Sequence, residues 1–341
     1  MVFGMPTFFL RYACTIIIVI ILVKIDNTEV YNLLKNIIFS LNKSAIENKT
    51  VLEQVVSSGQ YLENSGYKVK LLEANDASYP KIKAAGKKNT LIICDSNAYA
   101  KELTDKGYYC IGAIYSTNQG EKFEGLKYIF EDIDEVDEDS FVKVYQRYAG
   151  EPWEVIRTDR LLIRETTIDD IDEFYRLYKE PEMTRYMEGL FENPEDEKRY
   201  QKDYIEKVYG LMGFGVWTLV RAEDGVVIGR AGYSIRNGFD NIELGFLIGK
   251  EYQRQGYAYE ACSAILEYGK KVLCLEQVQA LVKKENEVSI RLCKRLGFKE
   301  DEVVKVEENI YGHSYTGEAD SSDIRLNQAK YGEYLKFVKE L

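Results

Sequence analysis

The chain is nearly devoid of histidine and poor in proline: His313 is the single imidazole among 341 residues, and there are 5 prolines. A lone histidine without an identified partner is poor ground for imidazole chemistry, so His313 reads as structural. The six cysteines, Cys14, Cys94, Cys110, Cys262, Cys274 and Cys293, never form a CxxC pair, which argues against structural zinc, and no metal is expected. Scattered through apolar runs, they read as buried free thiols of a reducing compartment rather than as a disulfide framework, and the expected location is cytoplasmic. Positive charge is also short, with 45 Lys+Arg against 56 Asp+Glu. The part after residue 150 holds 28 basic and 37 acidic residues and so carries nine of the eleven net negative charges. Such a surface does not displace counterions from a phosphate backbone, so nucleic acid is excluded as a general partner. With 45% hydrophobic and 30% charged residues the composition is globular, and the length suits two domains.

What is present begins with an apolar run, Tyr12 to Val23. As a helix it rises only ~18 Å against a hydrocarbon core of ~30 Å. Extended back through Pro6 it reaches spanning length, with Arg11 snorkelling to the interface, so residues 6–23 read as a membrane anchor on the cytoplasmic face or, equally well, as a buried β-branched strand. No small-residue cleavage site follows Val23. Val30, Leu33, Leu34, Ile37, Ile38 and Leu41 then recur at helical spacing and predict a helix from about Thr28.

Thr90 to Cys94 predicts a buried strand, Ala98 to Lys106 a helix ended by Gly107, and Tyr109 to Tyr115 a second strand, which together make a βαβ unit. Asp95 follows the first of these strands and reads as a helix N-cap in preference to a catalytic acid. The acids of 131–139 read as a solvated lead into a helix at 141–148. Ala149-Gly150-Glu151-Pro152 is the clearest linker. The expected organisation is a hydrophobic segment at 1–25, an α/β module of unknown role at 26–150, a second α/β (α+β) domain at 153–318 and a C-terminal helical extension at 319–341, whose helix contains Tyr331, Tyr334, Leu335 and Val338.

In the second domain the expected order is a strand at 161–165, helices at 168–178 and 195–209, a hairpin over 215–234 turning at Asp224-Gly225, and a strand at 241–248. A helix from Gly256, a strand at 277–282, a helix ending at Gly297 and a strand around 310–315 complete it. In IELGFLIGKEYQRQGYAYEAC a strand runs into Gln253, Arg254, Gln255, Gly256, Tyr257 and Ala258 and then a helix. Unpaired amides at such a helix start, with the helix dipole, suit phosphate oxygens.

Gln253-x-x-Gly256-x-Ala258 matches the pyrophosphate loop of the GNAT N-acetyltransferases. TDRLLIRETTIDD at 158–170 and NEVSIRLCKRLGF at 286–298 are similar to the first strand and the N-x-x-S…L-G-F helix of its RimJ/RimL-type branch. The resemblance covers about residues 155–300. It implies a mixed twisted sheet with flanking helices, acetyl-CoA as co-substrate, pantetheine along Phe246, Leu247 and Ile248, pyrophosphate on the amides of Gln253 to Ala258, and Asn286 near the cofactor arm.

Acetyl transfer to nitrogen needs a neutral amine, whose pKa is ~10.4 for lysine and ~7.7–8.0 for an α-amine, so a carboxylate base helps. Glu243, which strand alternation puts on the face of Gly245 and opposite Ile242, Leu244 and Phe246, and which matches a family glutamate, is the candidate. Where many relatives carry an acid tyrosine this chain has Cys293. Ser289 of N-x-x-S is the first choice for the acid and Cys293 the second. Arg185, Tyr186 and Glu188, between the first two helices of this domain, are candidates for acceptor binding. The implied activity is N-acetylation of a protein N-terminal amine or of a small amine such as a polyamine or aminoglycoside. A non-catalytic acyl-CoA-binding regulatory module is the alternative, motivated by Cys293 and the extra domain.

Overall fold

The computed structural model describes residues 34–187, 189–308, 315 and 330–341. The apolar segment with its proposed anchor, Glu188, His313 and all but Tyr315 of the strand expected at 310–315 lie outside the described residues. Among the described residues no helix is long and apolar enough to cross a membrane. The chain divides into two compact units that meet in sequence at Trp153 and Glu154.

The first unit alternates strands and helices: β1 (Asn36–Leu41), α1 (Lys43–Glu47), α2 (Lys49–Asn64), β2 (Lys68–Glu73), α3 (Tyr79–Ala85), β3 (Thr90–Cys94), α4 (Asn97–Asp105), β4 (Tyr109–Ala113), β5 (Ile129–Phe130) and α5 (Glu138–Ala149). The strands form one parallel sheet in the order β2-β1-β3-β4-β5. The helix expected from Thr28 is replaced, over 36–41, by strand β1. Ile37, Ile38, Phe39 and Leu41 are all buried because β1 lies between two strands and is covered on both faces. A strand of that kind is a continuous apolar run, which a helical stripe also matches over so short a span. Asp95 does not cap α4: Ser96 occupies that position, and both carboxylate oxygens of Asp95 accept the Asn42 N–H, at 2.9 and 3.0 Å. The acidic run supplies the Asp137 cap of α5, whose Oδ1 accepts from Ser140 N at 2.8 Å, and Gly150 ends the helix in the left-handed region.

The second unit comprises β6 (Glu154–Arg157), β7 (Leu161–Arg164), α6 (Asp170–Tyr178), α7 (Pro194–Tyr204), β8 (Val216–Arg221), β9 (Val227–Ser234), β10 (Ile242–Ile248), α8 (Tyr257–Lys271), β11 (Gln277–Lys283), α9 (Glu287–Arg295), β12 (Lys299–Glu307) and β13 (Tyr331–Glu340). A π-helical turn, Ile205–Tyr209, continues α7. The strands build a mixed sheet in the order β12-β13-β11-β10-β9-β8-β7-β6, in which β10 and β11 form the parallel pair. Trp217, Tyr233, Leu244, Val278 and Phe337 face α8, where Ala261 and Ile265 complete a core. Each large apolar side chain buried there contributes ~1.5–3 kcal/mol. On the opposite face α6 lays Ile171, Phe174 and Leu177 against Val220 and Val227.

The C-terminal helix is likewise corrected. Residues 331–340 are a strand inserted between β11 and β12. Tyr334 and Val338 face one side of the sheet and Leu335 and Phe337 the other, so a strand carrying apolar groups on both faces meets the i, i+3, i+4 spacing that suggested a helix.

Candidate active site

The strands β10 and β11 pair at only two positions, Ile242↔Val278 and Glu243↔Gln279, and then part. On its other side β10 stays paired with β9 through Ile248↔Gly229. Peptide groups along a strand alternate between its two edges, so part of the Leu244–Ile248 backbone faces the gap without a strand partner. Phe246, Leu247 and Ile248 thus lie along the parted edge.

At the end of β10 the loop turns back into α8. Gln253 Nε2 donates to Ile248 O at 2.9 Å and staples the loop to the strand. Arg254 (φ 61°) and Gly256 (φ 88°) both occupy the left-handed region, and no side chain caps the helix at Gly256. The first amides, on Tyr257 and Ala258, are therefore open to an anion.

Arg160, which sequence reasoning passed over, stands beside this turn. A Cβ on Gly256 would lie 3.4 Å from Arg160 Nη2. The guanidinium donates to Gln255 O at 3.1 Å and to Glu260 Oε2 at 2.7 Å, and Thr158 Oγ1 donates to Glu260 Oε1 at 2.6 Å. Burial works against the ionised Glu260 carboxylate, yet these hydrogen bonds hold it below its usual range, so Glu260 anchors the cation at the loop. The available signal was an Asp-Arg pair directly before the β7 strand.

Glu243 is buried, and its Oε2 accepts from Arg236 Nε at 2.9 Å. Its face of the sheet is the one that carries Gly245, where a Cβ would meet nothing within 4 Å, so there is open space next to the carboxylate's strand neighbour. Across β11, Tyr334 donates to Glu308 Oε1 at 3.3 Å, and burial pushes its hydroxyl up to about 12.

Asn286 caps α9, its Oδ1 accepting from Ser289 N at 3.2 Å. Ser289 is half-buried in the first turn of that helix. Cys293 is a core side chain 1% exposed, packed with Leu296 and Phe298, and burial pushes its thiol up to about 12. A thiol so placed is badly matched to a leaving thiolate near 8.5. Arg185 is exposed, its guanidinium 5.1 Å from the Tyr186 ring centre, in the segment joining α6 and α7. That segment reaches the loop after β10, since Lys250 Nζ lies 3.1 Å from Glu182 Oε2.

The family description "Acetyltransferase (GNAT) domain" matches residues 160–299. The chain is 33% identical over 147 residues to the uncharacterized N-acetyltransferase YnaD of Bacillus subtilis (strain 168), covering 43% of this chain and 83% of that protein. It is 28% identical over 165 residues to the uncharacterized N-acetyltransferase p20 of Bacillus licheniformis, covering 47% of this chain and 90% of that one. Among solved structures it is similar to the ribosomal-protein-S5-alanine acetyltransferase from Vibrio fischeri, with 16% identity, a TM-score of 0.42, and coverage of 54% of this chain and 95% of that one. The chain belongs to the GNAT acetyltransferase family and is an acyltransferase of that class.

Proposed function

We propose that the protein transfers the acetyl group of acetyl-CoA directly to a primary amine held in the same complex. The observation that carries this reading is the parting of β10 and β11 beside an uncapped helix start. The residues present fit the co-substrate: Arg254 and Gly256 turn the chain so that the Tyr257 and Ala258 amides, with Arg160, receive a pyrophosphate, and the parted edge at Phe246 to Ile248 receives the amide groups of the pantetheine arm. Backbone N–H groups near Phe246 and Leu247 stabilise charge developing on the thioester oxygen.

Glu243, oriented by Arg236, takes the proton from the amine nitrogen, directly or through one water, as the N–C bond forms. The C–S bond breaks and the CoA thiolate, stable as an anion with a pKa of ~8.5, leaves with the Ser289 hydroxyl hydrogen-bonding to its sulfur and takes its proton from solvent. Arg185 and Tyr186 line the approach of the acceptor.

Titration of the full-length protein with acetyl-CoA by calorimetry is the test, followed by a primary-amine panel with thiol release as the readout. Saturable micromolar binding and amine-dependent release are expected; a folded protein that binds no acetyl-CoA sinks the reading.

A further inference from the structure

On the Glu243 face of the second unit lies a cavity of about 450 Å³, lined by Phe239 and Asp240 from the loop into β10, by Gln279 of β11, by Lys336 of β13 and by Glu302 and Lys305 of β12. Gln279 is 0% exposed, and neither its Oε1 nor its Nε2 has a hydrogen-bond partner among the described residues. Leaving a buried amide unpaired incurs the full desolvation of both its polar atoms. Polar neighbours are not lacking: Gln277, two residues earlier on the same face, accepts from Asn241 Nδ2 at 2.7 Å and donates to Glu340. Gln279 is also the register partner of Glu243, in the last pair before the strands part.

We propose that Gln279 is a specificity-determining residue for the acceptor, and that its amide reads a carboxamide or peptide group adjoining the reactive amine. The inference rests on the acetyl-transfer reading. A planar amide satisfies both atoms at once, its C=O accepting from Nε2 while its N–H donates to Oε1. An alkylamine or polyamine can donate to Oε1 but leaves Nε2 buried and unmet. Among the residues lining the cavity the charges balance, Asp240 and Glu302 against Lys305 and Lys336, with Lys336 Nζ 3.1 Å from both Glu302 Oε1 and Asp301 Oδ2, so the lining itself carries no excess of carboxylates for a polycation. A site built to hydrogen-bond a substrate group rejects analogues lacking it far more strongly than an apolar pocket discriminates size.

The test uses full-length protein with tripeptide amides bearing free N-termini as one probe set, and hexylamine and spermidine as the other. The wild type is expected to favour the tripeptide amides by at least ~100-fold in kcat/KM, and Gln279→Met to compress that ratio at least ~10-fold. Acetyl-CoA affinity should stay unchanged in the variant, and its melting temperature should not fall, since an unpaired buried amide has been replaced by an apolar group of similar length. An equal ratio in the two proteins, a preference for the amide-free amines, or a lower melting temperature with the ratio intact overturns the proposal. Failure of acetyl-CoA binding in the wild type is a separate result, and calorimetry with the tripeptide amides then decides. Binding lost in Gln279→Met supports the assignment, and binding that is absent or equal in both proteins overturns it.

Discussion

Each unit places parallel strands side by side, β1 with β3 in the first and β10 with β11 in the second, and the two pairs end differently. In the first unit β1 and β3 stay in register at five positions, from Asn36↔Thr90 to Ser40↔Cys94. Their carboxyl edge is then closed by the chain itself. Asp95 takes the Asn42 N–H, and Asn118 Nδ2 donates to both Asp95 O (2.7 Å) and Ala113 O (2.9 Å). In the second unit β10 and β11 separate after two positions, with an unfilled space over Gly245 and an uncapped helix start beyond. The same local architecture is thus a sealed edge in one case and a receptive one in the other. What separates them is whether side chains of the chain meet the polar groups at the strand ends.

The comparison is broken most severely by filling the receptive edge. Gly256→Trp adds bulk at φ 88° beside Arg160 and should reduce acetyl-CoA binding below detection by calorimetry, while circular dichroism stays that of the wild type. Glu243→Gln keeps the shape and removes the proton acceptor. It should lower kcat by ~10²-fold or more with acetyl-CoA affinity unchanged, and a smaller drop would remove Glu243 from the base role. Arg160→Ala should weaken acetyl-CoA by ~10-fold with added salt eroding the difference, whereas salt-independent loss would point to packing against Tyr257 instead.

The smallest effect tests the sealed edge. Burial raises the Asp95 carboxyl above its ordinary 3.8, so the folded chain holds that proton more firmly than the unfolded one. Stability from this group is therefore greatest below about 3.8 and falls as pH rises through the raised folded value. Asp95→Asn, which keeps a carbonyl for the Asn42 N–H, should raise the melting temperature by a few degrees at pH 7 and by nothing near pH 3. A loss of stability at pH 7 would mean that the ionised form is required to close the edge.

Most of the receptive edge was legible in the sequence because its signals are local. The strand, the Gln253 to Ala258 turn and α8 succeed one another without interruption, and a helix start after a glycine has few alternative readings. Glu243 could be placed on a face by alternation alone. By contrast, β1 and β13 were read as helices because short strands with apolar residues on both faces satisfy two periodicities, and distant pairing decides between them. Arg160 and Gln279 were passed over for the same reason. Arg160 acquires its role from a loop 95 residues later, as its bond to Gln255 O shows, and Gln279 from the strands on either side of it.

The position of β13 also governs the order in which the second unit can assemble. It follows β12 in sequence but separates β12 from β11 in space, with Gln277 opposite Glu340 and Glu307 opposite Tyr331. Until residues 331–340 are available, β11 has an open edge and β12 has no strand to join. Both wait on a partner that follows them in the chain, so this half of the sheet depends on a long-range closure of the kind that slows folding and leaves strand edges vulnerable to other chains. A stop or a proteolytic nick before Tyr331 would therefore strip two strands of their pairing, and with them the support behind Gln279 and the parted edge.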